Sequence, residues 1–199
     1  MVTRDMTVKR VLLHLLKDFS STHTITELAS ELRLTRVGIW KILKKLEEEK
    51  FILLKAIGRG KTSTFLISLN WENSLTEKTL SLYLTEEALT QRRWQINFAD
   101  LEKCVQFTIL YGSILHHPQE ARDIDILGIT NKKKFANIQV IIDNVQKTQS
   151  RDIHPIHFTE GEFKAELQKL NKAFIEAIKK GVILFGQEQF VKFMRGISK

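Results

Sequence analysis

The sequence predicts an α+β protein of two domains. Three observations carry that prediction. The first part of the chain places three segments of helical periodicity ahead of two short β-rich runs. A polar, turn-like stretch, Asn70-Trp-Glu-Asn-Ser74, closes that part. Beyond a leucine-rich connector, short apolar runs alternate with helical stretches, the pattern of a sheet flanked by helices. The expected organisation is a first domain over 1–73, a helical connector over 74–104 and a second domain over 105–199.

Composition narrows the class. At 199 residues the chain is long enough for one large domain or two small ones. With 43% apolar and 27% charged residues, disorder as the main state is excluded. No apolar run approaches the roughly 20 residues of a membrane span. The start, Met1-Val-Thr-Arg-Asp-Met6, has no apolar signal-peptide core. Cys104 is the single cysteine, so neither an internal disulfide nor a zinc site is expected. A soluble, cytoplasmic protein without a membrane partner is expected. The net charge is +8, and its distribution is uneven: residues 1–73 carry 13 Lys+Arg and 8 Asp+Glu, against 18 and 15 in the remainder. A polyanionic partner should therefore meet the first domain.

In that domain, Val8, Val11, Leu12, Leu15 and Leu16 follow helical spacing. Leu28, Ala29 and Leu32 share one face of a second helix, with Thr26 as its expected N-cap. Thr35 caps a third helix with the stripe Ile39, Ile42, Leu43 and Leu46. Its other face carries Arg36, Trp40, Lys41, Lys44 and Lys45. Two strands follow, Phe51–Leu54 and Ser63–Ile67, joined by the basic tip Gly58-Arg-Gly-Lys61.

Three helices followed by a basic hairpin resemble the winged helix-turn-helix family over residues 7–68. The run from Leu34 to Ile52 resembles that family's recognition helix entering its first wing strand, with Lys50 where the family usually has a helix-ending glycine. The resemblance implies binding to double-stranded DNA, with the third helix in the major groove and the wing on the backbone. Arg36 and Lys41 would then meet base edges, and Lys44, Lys55, Arg59 and Lys61 phosphates. Trp40 lies beside the apolar stripe; it either contacts DNA or packs half-buried against the wing. Pairing of two copies on DNA half-sites is an expected form of such a module.

The connector holds Leu75, Leu80, Leu82, Leu84 and Leu89, then Trp94, Phe98, Leu101 and Val105 on one helical face. These aromatics read as core rather than as ligand-stacking residues.

The second domain opens with a buried strand, Phe107–Tyr111, that ends at Gly112-Ser113. After a polar loop comes Asp123-Ile-Asp125-Ile-Leu127. Residues i and i+2 of a strand point to one face, so both carboxylates project together while Ile124 and Ile126 face the core. Two parallel carboxylates repel unless a cation lies between them, and such hard oxygen ligands suit Mg²⁺. A Gly-Ser turn brings backbone N–H groups close to a phosphate.

Gly-Ser, nine residues, then Asp-x-Asp resembles the signature of the nucleotidyltransferase superfamily, and in particular its minimal prokaryotic members. The order of later elements extends the resemblance over about residues 105–190. A helix carries Phe135, Ile138, Ile141, Ile142 and Val145, and a strand spans Asp152–Phe158. A capping box at Thr159-Glu-Gly-Glu162 opens the next helix, a further helix ends near Gly181, and Val182–Gly186 forms a closing strand. The resemblance implies a mixed sheet flanked by helices and Mg²⁺-dependent transfer of a nucleoside monophosphate, AMP from ATP or another NTP, to a protein or nucleic-acid acceptor. Gly112 and Ser113 would hold the triphosphate, and Asp123 and Asp125 one or two Mg²⁺ ions. Active members add a third carboxylate from the next strand. The best-aligned position here is His154; Asp152, two residues earlier on the same face, is the acid that would serve as third catalytic residue. Arg122 stands where the family often has serine, and His116-His117-Pro118 replaces a small-residue stretch. The alternative is a non-catalytic transcription regulator whose second domain senses a nucleotide or contacts proteins. His116, His117, His154 and His157 suggest a metal cluster, but no His-x-x-x-His pair or cysteine supports zinc, so they read as ordinary loop and strand histidines.

Overall fold

Val11, Leu12, Leu15 and Leu16 are buried at helical spacing, and α1 (Val2–Lys17) forms around them. The computed structural model describes residues 2–58 and 64–197. α2 (Ile25–Glu31) starts from a capping box in which Thr24 Oγ1 accepts from Glu27 N and a Glu27 carboxylate oxygen accepts from Thr24 N at 2.9 Å. The cap is thus Thr24 rather than the expected Thr26. Only Thr24 has a glutamate three residues on, so only it can close the reciprocal pair. α3 (Arg36–Glu48) is capped by Thr35, whose Oγ1 accepts from Gly38 N at 3.0 Å. Of the expected stripe, Ile39, Leu43 and Leu46 are fully buried and Ile42 is half-buried.

Lys50, the departure from the helix-ending glycine, adopts φ +60°. It takes the left-handed conformation that glycine supplies at lower cost. Its carbonyl accepts from Asn70 Nδ2 at 2.9 Å and Asn73 Nδ2 at 3.0 Å, so the polar turn after the hairpin is fastened to the end of α3. β1 (Ile52–Ile57) and β2 (Thr64–Leu69) pair antiparallel, with Ile52 opposite Leu69 and Ile57 opposite Thr64. β1 extends past its apolar run because backbone pairing continues into the exposed Lys55, Ala56 and Ile57, and β2 runs on to Ser68 and Leu69, opposite Leu53 and Ile52. The tip residues Arg59 and Lys61 lie outside the described residues.

The backbone divides into two compact units, Met1–Tyr83 with Met194–Lys199, and Leu84–Phe193. The division falls inside α4 (Ser74–Leu89), a continuous helix, and not at the turn before it, where the expected boundary lay. The connector is not a separate body: α4 gives way to α5 (Arg92–Asn97) and a 3-10 turn (Ala99–Lys103). Trp94, Phe98 and Leu101 enter the core of the second unit with Leu110, Ile124, Ile126, Ile138 and Leu184.

That unit is built on a mixed four-stranded sheet in the order β5-β4-β3-β6, flanked by helices. β3 (Phe107–Tyr111) runs antiparallel to both β4 (Asp123–Ile129) and β6 (Val182–Phe185), whereas β4 and β5 (Asp152–Phe158) are parallel. α6 (Phe135–Gln146) makes the crossover that a parallel pair needs, with Ile138 and Ile142 in the core. Thr159 and Glu162 form the expected capping box of α7 (Glu160–Gln168), and α8 (Lys172–Lys180) leads into β6. α9 (Gln187–Ile197) extends the expected plan. Its Phe190 and Phe193 pack on Phe107, with ring centroids 5.4 and 5.3 Å away. No helix among the described residues is long and apolar enough to cross a membrane.

Candidate functional site

β3 carries the chain through the core to Tyr111, which lies opposite Asp125 in the antiparallel register. The next residue, Gly112, turns at φ +83°. A Cβ at this position would overlap Asp125 Oδ2, so both the backbone angle and the close approach call for glycine. On β4, Ile124 and Ile126 are each 1% exposed, which drives Asp123 and Asp125 to the opposite face.

The parallel register sets Asp152 beside Asp123 and His154 beside Asp125. His154 Nδ1 lies 3.5 Å from Asp123 Oδ2 and 3.9 Å from Asp125 Oδ1. Asp123, Asp125 and His154 thereby bring one ligand atom each within 4.8 Å of one another. Asp152 is exposed and is not part of this group. Of the two candidates for the third position, the imidazole converges with the aspartates. Two carboxylates and one imidazole at this spacing fit a divalent cation.

Electrostatics mark the same place. Burial, and then the neighbouring Asp123 charge, hold the Asp125 carboxyl above its ordinary range, while His154 works in the opposite direction. Burial also pushes the Tyr111 phenol up to about 12, helped by Asp125 and then Asp123. Tyr111 therefore stays a neutral hydroxyl beside two like charges that a cation would relieve.

A cleft of about 520 Å³ adjoins the aspartates. Tyr111, Gly112, Ser113, His116 and His117 line one side, and Ala173, Glu176, Ala177 and Lys180 of α8 line the other. Ser113 O accepts from His116 N and His117 N, so a short 3-10 turn (Ser113–Leu115) fixes this rim. Lys180 brings a cation to the cleft wall, where its Nζ pairs with Glu176 at 2.5 Å. Its signal in the sequence is an i, i+4 Glu-Lys pair ending the helix before β6, which also fits any solvated helix. Lys132 instead pairs with Glu162 at 3.0 Å, and Lys134 Nζ donates to Lys103 O.

In the first unit, Arg36, Lys41, Lys44 and Lys55 are exposed. Lys44 Nζ bonds Glu47 at 2.7 Å and sits 5.2 Å from the Trp40 ring centroid. Trp40 is half-buried, its ring 5.3 Å from that of Phe65 on β2. Of the two roles open to Trp40, packing against the hairpin is the one its contacts fill.

Compared with known proteins, the chain matches no family model, no curated protein and no solved structure.

Proposed function

We propose that the chain is a cytoplasmic DNA-binding protein of winged helix-turn-helix type whose second unit handles Mg²⁺ and a nucleoside triphosphate as the nucleotidyltransferase superfamily does. The reaction is transfer of a nucleoside monophosphate, AMP from ATP, to a protein or nucleic-acid acceptor. One observation carries this reading: Asp123 and Asp125 stand beside a Gly112-Ser113 turn whose glycine packs on the Asp125 carboxylate, at the edge of a cleft with room for a nucleotide. Asp123 and Asp125 would hold Mg²⁺, which supplies charge neutralisation at the phosphates and polarises the attacking oxygen. The N–H groups of the Gly112-Ser113 turn would serve as donors to phosphate oxygens, and Lys180 would add charge from the opposite wall. The exposed cations of α3 and β1 bring the protein to a DNA backbone.

A specific observation favours a second reading. The third position is filled by His154, a single nitrogen donor without negative charge when neutral. Two carboxylates and one imidazole hold one divalent cation more readily than two. A one-metal site of this kind binds nucleotide and signals its presence to a regulator without transferring it.

The experiment uses α-labelled ATP, Mg²⁺ and a cell extract, with the Asp123→Asn, Asp125→Asn double variant beside the native protein. Label transferred only by the native protein supports the transferase. ATP bound with Mg²⁺ but never transferred supports the sensor. Absence of Mg²⁺-dependent ATP binding removes both.

A further inference from the structure

His14 and Asp18 share one face at the end of α1, because Asp18 N still donates to His14 O at 2.9 Å and so continues the helical turn. His23 returns to the same place at the end of the following loop. Its Nε2 lies 2.7 Å from Asp18 O. A carbonyl only accepts, so Nε2 is the donor and Nδ1 is the ring nitrogen that a metal would take. Glu31, the last residue of α2, closes the group with Oε2 2.6 Å from His14 Nε2. The four residues offer ligand atoms that all lie within 4.8 Å of one another.

We infer that this cluster is a binding site for a divalent cation of the zinc class, held by His14, Asp18, His23 and Glu31. His14 Nε2 is buried and makes no hydrogen bond, although the Glu31 oxygen is next to it. A shared proton accounts for a nitrogen and a carboxylate oxygen at that distance, and a metal ion would displace that proton and draw on all four donors at once. A tetrahedral centre with bonds of about 2.0–2.2 Å spaces its ligand atoms by roughly 3.3–3.6 Å. The four donors lie within 4.8 Å of one another, and the His14–Glu31 pair, 2.6 Å apart, would have to open to admit the ion. Imidazole donors favour zinc-class ions over Mg²⁺ or Ca²⁺, which take oxygen ligands. Two carboxylates and two neutral imidazoles match a dication in charge. Asp18 is 4% and His23 7% exposed, so two ligands are buried, while the Glu31 side chain at 44% leaves the site open on one side. The bound ion ties the end of α1, the loop after it and the end of α2 into one body. The hydrogen bond from His23 Nε2 to a backbone carbonyl is the outer contact that orients a metal-binding ring.

The test separates this site from the Asp123–Asp125–His154 group. In metal-stripped full-length protein carrying Asp123→Asn and Asp125→Asn, titration calorimetry with ZnCl₂ should show one equivalent bound, and zinc should raise the melting temperature. Adding Glu31→Gln or His14→Gln should weaken zinc binding at least tenfold and abolish the melting shift. Glu31 is 44% exposed at its side chain, so its variant keeps the fold, and far-UV circular dichroism checks both. If His14→Gln unfolds, Glu31→Gln decides alone. Failure of the background protein to bind zinc, unchanged affinity in the Glu31 variant, or equal affinity for Mg²⁺ would overturn the assignment.

Discussion

His154 is the register partner of Asp125, yet its Nδ1 reaches closer to Asp123, 3.5 Å from Oδ2 against 3.9 Å from Asp125 Oδ1. The imidazole bridges the two carboxylates diagonally. His154→Asp would put a third carboxylate in that place. Without metal the added charge should lower the melting temperature at neutral pH; with Mg²⁺ the variant should bind the ion more tightly than the native protein. Calorimetric Mg²⁺ titration beside thermal melts checks both, and unchanged Mg²⁺ affinity would detach His154 from the site.

Asp125 makes a prediction with a definite sign. Its folded value is raised above the ordinary 3.8, so the folded state binds its proton more tightly than the unfolded state. The stability from this group is therefore present below that ordinary value and lost as pH rises through the raised one. At neutral pH the charged group opposes folding. Asp125→Asn should raise the melting temperature of metal-free protein at pH 7, and the advantage should fade on acidification below the ordinary value. Melts in EDTA across that range decide it; a variant less stable at pH 7 contradicts the electrostatic account.

Gly112→Ala tests the rim of the cleft. The substitution meets both a left-handed backbone angle and the Asp125 carboxylate. Strain of this kind costs about 1–3 kcal/mol. The expected outcome is a lower denaturation midpoint with unchanged m-value, together with loss of Mg²⁺-ATP binding. Ser113→Ala, at an exposed position, should leave stability alone and affect only nucleotide affinity.

Lys50→Gly should stabilise the protein. A non-glycine residue in the left-handed region costs about 1–2 kcal/mol, and the greater freedom of glycine in the unfolded chain returns part of that, so the net gain is about 0.5–1 kcal/mol. Chemical denaturation measures it directly. An unchanged midpoint would mean that the bonds from Asn70 and Asn73 to the Lys50 carbonyl shift when the side chain is removed.

For DNA, Lys41→Ala and Lys55→Ala should weaken binding to duplex DNA. Lys55→Ala, which removes a phosphate contact, should reduce the slope of log affinity against log salt by about 1, and Lys41→Ala, at a base edge, should relax sequence preference. Trp40→Ala should act otherwise, lowering stability because its ring no longer packs on Phe65. Binding isotherms at several salt concentrations separate the two classes, and unchanged isotherms for both lysine variants would reject this face.

The strand bounds of β3 and β5 and the cap of α7 could be read from the chain because local chemistry decides them. Apolar runs end at Gly112, and Thr159 has its glutamate three residues on. The alternation around Asp123 likewise put both carboxylates on one face. What local pattern did not carry depends on pairing at a distance. The choice between Asp152 and His154 turns on how two strands from separate segments align, and both residues share a face in either case. The cluster of His14, Asp18, His23 and Glu31 joins a helix end, a loop and a second helix end, which no single periodicity reports. α9 has buried Phe190, Val191, Phe193 and Met194 at helical spacing, but it follows the closing strand, the last element that the family resemblance supplies.

The parallel pairing of β4 with β5 has a consequence in time. β3 and β4 are antiparallel and joined by a short loop, so Asp123 and Asp125 are in place once that pair forms. His154 arrives only after α6 has crossed over and β5 has docked, a longer closure that is entropically slower. By the same argument β6, which pairs with β3 across a still longer segment, closes later than the cation group. A nascent chain that ends before β5 carries both aspartates but lacks the imidazole, so the complete three-residue group reports that β5 has docked on β4.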